Sequence, residues 1–557
     1  MKKLLYSISI FIVICILLLT FAYIFPNNLV ISNFKNILPE NQRKSISHFL
    51  NSTLFLLPNL NKRLLVTEYE IENINNNLFF LQSSLNKNLI DTSETLQNIS
   101  LNNFYSKEIY NQKNIILGLK KFQLPIFMES GKKARGYLDI NNEILIFVRG
   151  DGEFYQIKTK KNKDAFVHPI ISKIKTNINE IIFDKNFFDN TKSFKYGSFV
   201  GVKDLLIHDN KIYFSYLKEI RDECYSVSIL EAKLNVKFLN FKEFFSVNEC
   251  VVTNTRESGY GNGWGLLHSG GRMVIYSNKN ALENSILLTT GELQNRPLSQ
   301  NHDSIFGKIL EIDLKTKNFE IFSSGFRNSH GLIYLKEKNI ILATEHGPLG
   351  GDEINLIKKN QNYGWPISSY GEHYRGAYEK IPIKELNKIA PLHKSHKDFG
   401  FVEPVHYFKS PIAPSQIINI DKKFIKSSDD LYFLTSLKAG SLFIVKFDEK
   451  YSKIDFLQKI KLNERIRDII YDRNNNNYLL VFESSGSLGV LYNNQIPYEL
   501  CLNNFVNFEY IKNIDLVNYK MKNSFENYCK NLYVSKNTTA NVSIEQLILN
   551  SDIDIKQ

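Results

Sequence analysis

A short apolar strand, a polar turn and a second, more apolar strand recur six times in this chain, and this repeat constrains its fold more than any other feature. The copies run from Gly136 to Gly150, Asp204 to Glu219, Gly271 to Glu292, Gly331 to Gly347, Ser415 to Ser436 and Asp468 to Ser484. They begin roughly 50 to 85 residues apart, a period that suggests a propeller or solenoid. Hairpin-type turns such as Asp209-Asn210 and Asn474-Asn475 join the paired strands. Extra strands in the gaps, Ile309 to Leu314 and Leu442 to Phe447 for instance, complete four-stranded blades. The expected fold is all-β: a six-bladed β-propeller of four-stranded blades around a channel.

The flanks read differently. Lys2 and Lys3 precede an apolar, uncharged stretch from Leu4 to about Ile24, long enough for a helix across a bilayer. The positive-inside rule keeps that basic end cytoplasmic, and no small-x-small cleavage site follows Thr20. The expected organisation is a transmembrane signal anchor over 1–25, a partly helical membrane-proximal spacer over 26–125, the propeller over 126–495 and a C-terminal extension over 496–557. The chain is thus expected in the inner membrane, single-pass, with the propeller in the periplasm. Export makes two disulfides plausible, Cys224 with Cys250 and Cys501 with Cys529; four buried free thiols are the alternative. Cys-x-x-Cys spacing is absent.

Charge excludes little except by its thinness. Lys+Arg 69 against Asp+Glu 57 leaves +12 over 557 residues, with no dense basic face beyond Lys158, Lys160, Lys161 and Lys163. A nucleic-acid partner is not expected.

Chemistry concentrates between Gly325 and Gly371. Gly347, Pro348, Gly350 and Gly351 stand beside Asp352 and Glu353, a turn able to present carbonyls to a hard cation, although an ordinary tight turn reads the same way. The segments GFRNSHG, ATEHGPLGGDEINLI and NYGWPISSYG, with HSGGRM at His268 to Met273 and QNRPLSQNHDSIFGKILEI at Gln294 to Ile312, resemble the PQQ-dependent soluble aldose sugar dehydrogenases, the glucose/sorbosone dehydrogenase family. SLKAGSLFIV at Ser436 to Val445 and ERIRDI at Glu464 to Ile469 extend the resemblance, which covers roughly residues 130 to 495. The six-bladed propeller of that family agrees with the repeat count.

The resemblance implies a site. Lys438, Arg465 and Arg467 match positions that bind pyrroloquinoline quinone (PQQ), a planar tricarboxylate, and guanidinium groups pair bidentately with carboxylates. Arg465 and Arg467 alternate on a strand and so share a face. His268 matches the general base that takes a proton from the anomeric hydroxyl of an aldose while hydride passes to PQQ and a lactone forms. Arg327 and Asn328 match positions beside the reacting quinone oxygen, where Arg327 would stabilise developing negative charge. The carbonyls of Gly347 and Pro348 match ligands of a Ca²⁺ that also touches PQQ, and Glu353 and Tyr363 match a second, structural Ca²⁺ site. The expected partners are a sugar and a quinone or cytochrome electron acceptor; oligomeric state is not legible.

Two positions depart from the pattern. Val202 stands where a cofactor-binding amide is expected, and Leu267 replaces an acidic residue before the histidine. They motivate an alternative, a non-catalytic propeller of the same descent that binds carbohydrate, envelope or protein partners.

Overall fold

The computed structural model describes residues 99 to 493, interrupted at 102, 113–114, 125–134, 142, 162–166, 183–200, 253–263, 278–283 and 375–381. The expected anchor, most of the spacer, the Cys501–Cys529 pair and the C-terminal extension lie outside the described residues. Among the described residues no helix is long and apolar enough to cross a membrane.

Six antiparallel sheets carry the chain, and the six sequence repeats supply the first two strands of each. The first strands are Gly136–Asn141, Val202–His208, Gly270–Tyr276, Ser329–Leu335, Pro414–Asn419 and Ile466–Asp472, in blades 1 to 6. Each packs against the first strand of the next blade, and that of blade 6 packs against that of blade 1, so the ring closes. Hairpin chemistry behaves as the residues demand. Asp209 and Asn210 both take positive φ, 45° and 59°, the backbone of a two-residue turn that matches the strand twist. In the last repeat the positive φ falls on Asn476.

The expected boundary at 126 moves. Strands Asn103–Gln112 and Ile115–Gln123, inside the expected spacer, complete blade 6. Ile115–Gln123 pairs antiparallel with Ser487–Asn493, with Leu117 opposite Asn493 and Gln123 opposite Ser487. Ile99–Ser100 adds an edge to blade 1. The physical reason is that the C-terminal strands alone leave blade 6 short of its outer strands, and the N-terminal strands complete it by covering the edge of Ser487–Asn493.

Apolar side chains fill wedges between blades rather than a single centre. Phe147, Tyr155, Leu479 and Val481 pack between blades 1 and 6, and Phe433, Ile444, Leu480 and Phe482 between blades 5 and 6. The axis itself is charged. Arg272 of blade 3 donates from Nη1 to Asp204 Oδ1 of blade 2 (2.7 Å) and to Asp468 Oδ1 of blade 6 (2.9 Å). Three inner-strand aspartates also accept the backbone N–H of the following blade. Asp139 takes Ile207, Asp204 takes Met273, and Asp468 takes Leu138, at 2.5, 2.7 and 2.9 Å. Buried carboxylates persist where such donors satisfy them, and these fix the blades in register. Cys224 and Cys250 form a disulfide in blade 2, Cα–Cα 5.4 Å, as the sequence suggests.

Candidate active site

The starts of the inner strands hold the chemistry. His268 lies just before the inner strand of blade 3 and Arg327 just before that of blade 4. His268 Nδ1 is 2.7 Å from Glu292 Oε1, and its Nε2 is 3.0 Å from Arg327 Nη2. A carboxylate can only accept and a guanidinium can only donate, so the proton sits on Nδ1 and the Nε2 lone pair accepts from Arg327 Nη2. Burial, then the charge of Arg327, pushes the imidazole down to about 4 against the pull of Glu292. His268 is therefore a neutral base near pH 7.

Glu292 gives no signal that spacing or composition would pick out. It is a fully buried residue just past the strand Ser285–Thr290. That strand pairs with the inner strand of blade 3 and brings Glu292 back beside His268. The intervening Gly291 is obligatory, since a Cβ there would lie 1.9 Å from the His268 carbonyl oxygen.

Buried Glu345 organises the start of blade 4. Its Oε1 accepts from the N–H groups of Arg327 and Asn328, and its Oε2 accepts from the Ser329 hydroxyl. Asn328 then bridges blades 3 and 4, accepting from Gly270 N (3.1 Å) and donating to Leu267 O (3.3 Å). Arg327 Nη1 donates to the carbonyls of His346 (3.1 Å) and Gly347 (2.9 Å), and the guanidinium lies 5.5 Å from the centre of the Trp365 ring.

A second wall comes from blade 6. Arg465 Nε donates to Glu483 Oε2 (2.8 Å) and Arg467 Nε to Glu483 Oε1 (2.6 Å). Burial would raise the Glu483 carboxyl, but Arg467, Arg465 and Arg135 hold it at about 2. The walls meet through two histidines. Arg467 Nη1 lies 3.2 Å from His330 Nδ1, and the His330 ring stacks on His346 with centroids 4.4 Å apart. Burial first, then His346, drives His330 well below its ordinary value. Burial likewise takes His346 to about 3, so the stacked rings are neutral and do not repel.

The structure thus brings His268, Arg327 and Asn328 together, and links them to Arg465 and Arg467. Lys438 stands apart: it is exposed on the hairpin of blade 5, with no side-chain partner among the described residues. Val202 does not line the channel but is buried in the apolar wedge around blade 2.

The cation sites divide. The carbonyls of Gly347 and Pro348 accept from Arg327 Nη1 (2.9 Å) and the Tyr374 hydroxyl (2.8 Å). Each keeps a second lone pair, so the pair fits a hard cation whose remaining oxygens come from a ligand. Glu353 and Tyr363 line one cavity with His396. The buried His396 ring stands between them, Nδ1 2.9 Å from the Tyr363 carbonyl oxygen and Nε2 3.3 Å from Glu353 Oε1. Among the described residues no cluster of three or more His, Cys, Asp or Glu is disposed to hold a metal ion.

The channel mouth does suit a polyanion, because three guanidiniums share one carboxylate and the buried Nε of Arg135 has no hydrogen-bond partner among the described residues.

Comparison with known proteins gives a consistent picture. The Glucose / Sorbosone dehydrogenase family matches residues 188–490. Aldose sugar dehydrogenase YliI of Escherichia coli (strain K12) is 31% identical over 235 residues, 40% of this chain and 59% of that protein. Quinoprotein glucose dehydrogenase B of Acinetobacter calcoaceticus is 27% identical over 287 residues, 40% of this chain and 60% of that protein. The chain therefore spans about three fifths of the length of these two curated relatives. The crystal structure of the soluble aldose sugar dehydrogenase from Escherichia coli in the apo-form aligns with TM-score 0.47 and 21% identity, covering 65% of this chain and 96% of that one.

Proposed function

The chain belongs to the Glucose / Sorbosone dehydrogenase family of oxidoreductases, and from that membership we propose that it oxidises the anomeric carbon of aldose sugars to lactones with PQQ as cofactor. The observation that carries the reading is the neutral His268, held by Glu292 at Nδ1 so that its Nε2 lone pair is turned to Arg327.

PQQ, when bound, supplies an electrophilic quinone carbonyl able to take up the C1 hydride. Everything else falls to the chain. His268 Nε2 accepts the proton of the anomeric hydroxyl, displacing the hydrogen bond from Arg327 Nη2 that holds it in the free protein. Glu292 keeps the ring in the productive tautomer and stabilises the imidazolium that forms, the role a carboxylate plays behind any histidine base. Arg327, anchored by Glu345 and two carbonyls, offers fixed positive charge where negative charge develops. Arg465 and Arg467 hold cofactor carboxylates, with Lys438 available at the rim. A Ca²⁺ at the Gly347 and Pro348 carbonyls would add charge on the same side.

We place the propeller outside the cytoplasm, behind an N-terminal membrane anchor and passing electrons to a quinone or cytochrome. The Cys224–Cys250 disulfide supports an oxidising compartment.

The test is direct. The full chain, reconstituted with PQQ and Ca²⁺, should reduce an artificial dye in an aldose-dependent way. No turnover on a broad sugar panel would sink the proposal and favour the binding-only propeller.

A further inference from the structure

An arc of cations runs across the starts of blades 2, 1 and 6. Lys203 opens it, Arg135 follows, and Arg467 and Arg465 close it. Glu483 satisfies Arg465 and Arg467 but lies 3.9 Å from Arg135 Nε, beyond hydrogen-bond reach. That Nε is buried with no hydrogen-bond partner among the described residues. A buried donor without an acceptor is costly, and in a native protein it calls for an explanation.

The backbone holds the arc in place. Gly150 donates its N–H to the Arg135 carbonyl (2.9 Å) and accepts from Val202 N (3.2 Å), tying the starts of blades 1 and 2. A Cβ on Gly271 would lie 2.3 Å from Lys203 Cβ. Lys203 therefore packs against the start of the blade 3 inner strand, which follows His268. Electrostatics agrees. Burial, then Arg467, lowers Arg135 to about 10. Burial, then Arg135 and Arg467, takes Lys203 well below its ordinary value.

We propose that Arg135, seconded by Lys203, binds a carboxylate of the anionic cofactor and supplies in this chain the contact that Val202 cannot make. The inference rests on the PQQ reading, which it deepens. It explains why the buried Arg135 Nε has no hydrogen-bond partner among the described residues, and why the neighbour of the missing amide is a lysine.

The test compares the full-length chain with Arg135→Gln and Lys203→Met, measuring PQQ affinity by calorimetry and the melting temperature of each PQQ-free protein. Arg135→Gln should weaken PQQ roughly 10- to 100-fold, the range for a charge-assisted hydrogen bond, and Lys203→Met by less. The free variants should melt at the same temperature as the parent or higher, because a repelling charge has gone. Unchanged PQQ affinity would overturn the inference. So would weaker affinity in a free Arg135→Gln protein that melts lower, the mark of a merely structural arginine. A parent chain that binds no PQQ defeats the functional reading instead, and citrate then decides the anion site. A citrate-induced rise in melting temperature that Arg135→Gln abolishes upholds it, and no rise in the parent overturns it.

Discussion

Glu292 Oε1 lies 2.7 Å from His268 Nδ1, and that contact leaves the proposed base only one lone pair, on the nitrogen beside Arg327. Glu292→Gln would turn an obligate acceptor into a group that can also donate, freeing the ring to adopt the other tautomer. The expected result is a loss of about 10²–10⁴ in kcat/KM with PQQ affinity retained. Calorimetry beside steady-state kinetics checks the split, and equal losses in both would contradict the assignment.

Protonation of His268 sets the second expectation. Its pKa falls to about 4 in the folded chain from an ordinary 6.5, so the base stays active in mildly acidic solution. The acid limb of kcat/KM should lie near pH 4 to 5, not 6.5. The stability sign follows: the unfolded chain binds this proton more readily, so the stability contributed by neutral His268 is present above 6.5 and is lost as pH falls toward 4. Arg327→Met should move the acid limb upward as well as slow turnover. A limb that stays put would mean Arg327 does not set the base.

Among the described residues Glu483 is the only carboxylate shared by Arg135, Arg465 and Arg467. Removing one partner of a buried ion pair typically costs about 3–5 kcal/mol. Glu483→Gln should therefore destabilise the chain by roughly that amount in urea unfolding. A change within experimental error would show that the arginines find other partners.

The seam gives a deletion experiment. A chain beginning at residue 126 lacks Ile115–Gln123, which covers Ser487–Asn493, and Asn103–Gln112 beyond it, leaving an open edge. It should be aggregated or lack a cooperative thermal transition by circular dichroism, whereas a chain beginning at residue 26 melts cooperatively. Identical melting of the two would refute the seam.

Reduction tests the disulfide. Cys224 and Cys250 are 26 residues apart, and a cross-link closing such a loop contributes about 3 kcal/mol in the chain-entropy view. Cys224→Ser paired with Cys250→Ser should lower stability by that order without altering PQQ affinity.

The blades were legible in the sequence because each inner pair alternates a β-rich run with a turn whose residues tolerate positive φ, as at Asp209 and Asn210. The closing strands were not, because their partner lies about 370 residues away and no local pattern encodes it. Site residues divide along the same line. His268, Arg327 and the Arg465–Arg467 pair sit in recognisable motifs. Glu292, Glu483 and Arg135 act through the company that folding gives them, and no local spacing marks them. Glu353 and Tyr363 show the converse: the motif is legible, but the His396 that folding sets beside both is not.

The pairing of Ile115–Gln123 with Ser487–Asn493 also sets an order of events. A ribosome makes the covering strand early and its partner last, so the ring cannot shut until nearly all of the propeller has emerged. Arg135 and Glu483 lie on opposite sides of that same join, in blades 1 and 6. The anion-binding mouth therefore does not exist, even in outline, on a nascent or truncated chain. Loading it is in effect an inspection that only a finished ring can pass.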